Sequence, residues 1–114
     1  MAKRELSVLK ILHDPSSGIL NTSYRIENLD VHLTYEFEDE TGKMCQGRIT
    51  FEFFVALSFE HDSNGSGILP PRSMTLYEFQ SNKREGFRGF KIWLPDAEMI
   101  EISCKSVLIG NERF

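Results

Sequence analysis

Between residues 49 and 59 the chain alternates apolar and polar side chains almost without interruption, and this period of two decides its fold class. Ile49, Phe51, Phe53, Val55, Leu57 and Phe59 fall on one side, and Thr50, Glu52, Ala56 and Ser58 on the other. A helix would gather its apolar residues at three- and four-residue spacing; alternation is what a strand with one buried face requires. Phe54 is the exception, a large ring on the polar side. It is therefore a candidate contact residue, for a dimer interface or for pairing at a sheet edge.

The pattern recurs. Val31, Leu33, Tyr35 and Phe37 alternate with His32, Thr34 and Glu36 over residues 31–37. Further strands are expected over residues 5–12, 19–26, 74–80, 87–94 and 99–109, with the longest arm at 44–59. Turn chemistry separates them: Pro15 and Gly18 in one turn, a short turn at 27–30, and a Gly42-containing turn at 38–43 that makes its flanks a hairpin. The arm at 44–59 exceeds the usual strand of about 5–6 residues. Met44 and Ile49 lie an odd number of positions apart, so a bulge or bend near Gly47 is expected. No window keeps helical spacing through three turns. About seven strands in 114 residues predict a single all-β domain, an antiparallel β-sandwich or a small β-barrel.

Composition supports a packed core and narrows the function. An apolar fraction of 40% with nine Phe residues suits a domain of this size. Seventeen acidic against thirteen basic residues leave a net charge of −4, which argues against a general nucleic-acid binder. The same balance suits a basic protein partner. No apolar run approaches the ~18 residues of a membrane span. The charged opening Met1-Ala-Lys-Arg-Glu5 leads into no continuous apolar stretch, so no signal peptide is expected and a cytoplasmic location is. Cys45 and Cys104 have no Cys or His at ligand spacing and read as small buried hydrophobes.

The motifs that carry chemistry elsewhere are incomplete here. Asp62-Ser-Asn-Gly-Ser-Gly67 copies the first half of a calcium-binding EF-hand loop, but the twelfth position, which needs a bidentate Glu, is Ser73. Pro70 and Pro71 would also break the exiting helix. Basic and aromatic residues interleave from Arg84 to Trp93 as in RNA-recognition strands, yet that fold needs helices the chain does not offer. His32, Thr34 and Glu36 share a polar face, while His13 and His61 sit beside turns, with no Ser or Cys nucleophile placed to use them. The expectation is a non-enzyme without metal or cofactor. Candidate partner or ligand contacts are Phe54, the loop aliphatics Ile68 and Leu69 beside the two prolines, and the aromatics Tyr77 and Trp93.

Arg48-Ile-Thr-Phe51 runs into Ala56-Leu-Ser-Phe59, followed by Leu76-Tyr-Glu-Phe79, Phe90-Lys-Ile-Trp93 and Met99-Ile-Glu-Ile-Ser-Cys104. This succession resembles small, all-β, largely uncharacterised bacterial proteins, some of which look like immunity proteins that neutralise a partner toxin. The resemblance spans most of the chain and carries over no functional residue. It implies an immunity-type role; strand-only architecture, absent motifs and the acidic turn Glu38-Asp-Glu40 point to a protein-binding or interaction module, and off-phase Phe54 to self-association as a dimer. The alternative from the residues alone is a small-ligand-binding barrel, with Phe54, Tyr77 and Trp93 lining its mouth.

Overall fold

The computed structural model describes residues 6–13, 19–39, 41–61, 74–82, 85–93 and 98–114. The strands are β1 (Ser7–His13), β2 (Ile19–Glu27), β3 (Asp30–Glu38), β4 (Met44–His61), β5 (Met74–Gln80), β6 (Arg88–Trp93), β7 (Glu98–Ile109) and β8 (Glu112–Arg113). Every pairing is antiparallel, in the order β1-β5-β6-β7-β4-β3-β2, with β8 folding back on the end of β7. The described residues contain no helix. The all-β antiparallel expectation therefore stands, with one short strand more than the alternation revealed.

Chain connectivity follows from local turn chemistry. Asn28 adopts a positive φ of 57°, which lets two residues close the β2–β3 hairpin. At the β3–β4 turn the Asp39 carboxylate accepts from the Thr41 and Lys43 amides at 2.9 Å each and from the Thr41 hydroxyl at 2.6 Å. These bonds hold its carboxyl below the usual aspartate range, led by the Thr41 hydroxyl. Gly42, at φ 82°, supplies the left-handed residue that the turn needs.

β4 is the spine, and it is bent. Residues 44–51 pair with β3, whereas residues 49–61 pair with β7. The bend is measurable from ring contacts. Tyr24 stands in register with Leu33, which pairs with Ile49, yet its ring lies 4.8 Å from that of Phe59. Ten residues of straight strand from Ile49 would place Phe59 about 33 Å away. Similarly, Phe51 pairs with Val107 and Phe90 with Ile102, about 16 Å apart along a straight β7. Their ring centroids are 5.9 Å apart. The sheet thus folds over on itself, and its two halves enclose one core of β3, β4, β5, β6 and β7 side chains.

The corner lies at Phe53, not at Gly47. The β3–β4 register runs unbroken through Tyr35↔Gly47. Glycine is required there for a different reason: a Cβ would overlap the Tyr35 ring. At the corner, Phe51 and Phe54 both turn to the core, three positions apart, and so do Val107 and Cys104 opposite them. Both strands change face together, with Phe53 at φ 54° and a further register shift between Phe54 and Ala56. This overturns the simple alternation over residues 49–59. Phe54 packs against the core, while Phe53, Val55 and Phe59 are exposed.

Candidate interaction surface

Of the residues singled out by sequence, Ile68 and Leu69 lie outside the described residues, as does the EF-hand-like stretch from Asp62. Phe54 is an inward-facing side chain. Tyr77 and Trp93 meet edge to face at 5.5 Å, with the Lys91 ammonium 4.9 Å from the Trp93 ring centre. Their neighbours Leu76 and Ile92 point into the core, so this aromatic pair sits on the opposite face of the sheet. Phe54, Tyr77 and Trp93 are not brought together.

A different apolar surface is assembled by the fold. On β2, Tyr24 and Ile26 share the core-facing side through their partners Leu33 and Val31. Both remain about half exposed, because β2 ends the sheet and, among the described residues, no strand lies beyond it. The hairpin turn then docks on the β4 corner. The Phe53 amide donates to the Asp30 carboxylate at 3.0 Å, and the Phe54 amide donates to the Leu29 carbonyl at 2.9 Å. These bonds satisfy backbone groups that the corner would otherwise leave unpaired. They also hold the turn of exposed Leu29 against the corner, where Phe53 and Val55 are exposed as well, while Tyr24 reaches Phe59. Phe53 in turn lies 5.9 Å from the Phe87 ring. An apolar seam therefore runs along β2 and the second half of β4.

The two edge strands differ in how open they are. β1 exposes Val8 and Ile11, but its pairing with β5 is interrupted twice, between Val8 and Lys10 and between Ile11 and His13. Such irregularity blunts an edge against further strand addition. β2 is interrupted only at its start, between Ile19 and Asn21, and pairs regularly from there to Glu27. Its backbone is therefore regular from Asn21 to Glu27, with one edge left for a further strand among the described residues.

Two remaining polar features are structural. Glu78 and Arg88 pair in bidentate fashion at 2.8 and 2.9 Å, on the core side of their strands beside Phe90 and Cys104. Arg88 also donates to the Phe114 carbonyl at 2.7 Å and stacks over the Phe90 ring. The hydrogen bonds from Arg88 hold the Glu78 carboxyl below the ordinary glutamate range and raise Arg88 in return. This pair closes one end of the core. Cys104 is fully buried, and burial pushes its thiol up to about 12, which removes it as a nucleophile near neutral pH.

Sequence reading missed the seam because its residues look like ordinary core members of alternating strands. The available signal was the crowding of apolar residues at 53–55 on both faces, which a straight strand cannot bury. Comparison with known proteins finds no matching family model, no matching curated protein and no matching solved structure.

Proposed function

We propose that the chain is a non-enzymatic interaction module that takes an extended segment of a partner protein along β2. The observation that carries this reading is the regular outer edge of β2 beside the seam formed by Tyr24, Ile26, Leu29, Phe53, Val55 and Phe59. An added strand would gain main-chain hydrogen bonds from the edge. Alternate side chains of that strand would extend the core-facing side over Tyr24 and Ile26. The contrast with the interrupted edge of β1 favours β2 as the docking edge. The resemblance to immunity proteins supplies a first partner to try, a toxin encoded beside this chain.

A photo-reactive phenylalanine analogue at position 24 tests the proposal in the native cell. One discrete cross-linked protein, lost when Ile26→Asp is combined with the probe, supports it; mapping the cross-link to an extended partner segment completes the case. A cross-link to a second copy would make the same edge a dimer interface, with sedimentation rising with concentration. Diffuse labelling that Ile26→Asp leaves unchanged, together with a monomer at high concentration, would overturn the reading.

A further inference from the structure

The face of the sheet turned away from the core carries a second feature, independent of the seam. A cleft of about 690 Å³ opens over β2, β3 and the first half of β4, bounded by the turn after β7. Register builds it. Arg25 pairs with His32, which pairs with Thr50, and Ser23 pairs with Thr34, which pairs with Arg48. Arg25 and Arg48 therefore stand diagonally across His32 and Thr34, two strands and one same-face step apart, or roughly 12 Å between Cα atoms. Two arginine side chains are long enough to meet across such a gap once Arg25 turns from Glu27.

The charge of the lining is one-sided. The polar residues of its lining are Arg25, His32, Thr34, Tyr35, Gln46, Arg48 and Asn111, with no carboxylate among the described lining residues. This stands out in a chain whose net charge is −4. Glu36 shares the face as the partner of Gln46 but does not line the cleft. Arg25 meets Glu27 at 3.3 Å, with the two side chains 70% and 57% exposed. An exposed pair of that kind is weak and leaves Arg25 free to turn to a ligand. Among the described residues Arg48 has no side-chain partner, whereas Arg88 and Arg113 are each bonded to a carboxylate. His32 engages Thr50 through Nδ1 at 3.3 Å, which leaves Nε2 for a further bond.

We propose that this cleft binds a small molecule through an oxyanion, a carboxylate or a phosphate, gripped between the Arg25 and Arg48 guanidinium groups. Arginine forks match both anions in bidentate geometry, and Thr34, Gln46 and Asn111 add neutral donors at the rim. The volume suits a small metabolite. The site lies on the opposite face from the β2–β4 seam, so it neither requires nor replaces partner docking there.

The test is amide chemical-shift titration of the full chain with three probes: inorganic phosphate, phenyl phosphate and citrate. Saturable shifts confined to residues 25, 32–34, 46–48 and 109–111 are expected for at least one probe. Binding by the two phosphates alone assigns a phosphate ligand; binding by citrate alone assigns a carboxylate. Arg48→Gln and Arg25→Gln should each weaken the effective probe roughly tenfold or more, as the loss of a charged hydrogen-bond donor does. Lys91→Gln, on a distant part of the sheet, should leave affinity unchanged. A wild-type amide spectrum away from the cleft confirms that each variant folds. Because Arg25 lies on an edge strand, its variant keeps the test valid should Arg48→Gln disturb the sheet. The proposal is overturned if no probe gives saturable shifts at millimolar concentration, or if both arginine variants bind as wild type does.

Discussion

Adjacent residues Phe53 and Phe54 offer a sharp test of the β4 corner, because alternation and structure rank them in opposite order. Phe54 packs against the core opposite fully buried Cys104. Truncating it leaves a cavity between the halves of the sheet, so Phe54→Ala should cost about 3 kcal/mol, the low end for a core phenylalanine. Phe53 keeps 42% of its surface in water, with its ring 5.9 Å from that of Phe87. Its ring therefore contributes little more than half the transfer free energy of a buried side chain, and Phe53→Ala should cost about 1–2 kcal/mol. In a domain of this size the melting temperature should fall by about 12–18 °C for Phe54→Ala and by about 4–12 °C for Phe53→Ala.

A third variant separates burial from backbone. Phe53 sits at φ 54°, where any residue with a Cβ is strained by about 1–2 kcal/mol. In an ordinary strand, glycine is about 0.5–1 kcal/mol worse than alanine. At this corner the order should invert, with Phe53→Gly more stable than Phe53→Ala by about 1 kcal/mol. Urea midpoints with constant slope give all three values. The corner is refuted if Phe53→Ala costs more than Phe54→Ala, or if the glycine variant is less stable than the alanine one.

Gly47→Ala and Gly89→Ala should each destabilise by about 1–3 kcal/mol, since a Cβ would enter the buried rings of Tyr35 and Phe79; urea unfolding at wild-type levels would show that these rings yield freely. The Glu78 carboxyl is held below its ordinary value of 4.5, so the stability it contributes is present above that pH and lost as pH falls through the lower folded value. Glu78→Gln should accordingly flatten the acid side of a stability–pH curve, and an unchanged slope there would contradict the pairing with Arg88. In native protein a thiol reagent should modify half-buried Cys45 readily and Cys104 only as fast as the chain opens; two equally fast thiols would place Cys104 at the surface.

Local rules read the strands well because each rule concerns neighbours in sequence. Period two located β3 and β7 to within a residue or so, and turn composition located the hairpin at Asp39 and Gly42. The short return of β8 was also signalled, by Gly110-Asn111, but two residues carry no alternation. What escaped belongs to neighbours in space. The alternation at 49–59 assumes a straight strand, and nothing in the composition of Glu52-Phe53-Phe54 announces a left-handed phenylalanine. Gly47 drew the expectation of a bend because glycine permits one, yet its place was set by a ring from the next strand. Tyr24 and Ile26 alternate as a central strand would; only the strand order makes them edge residues and leaves them exposed. The cleft is the extreme case. Arg25, His32 and Arg48 are each an unremarkable polar-face residue of its own strand, and the register of three strands alone converts them into one cationic surface. Periodicity states which side a residue faces; strand order and register state what stands beside it, and both candidate surfaces of this chain are made by the second kind of information.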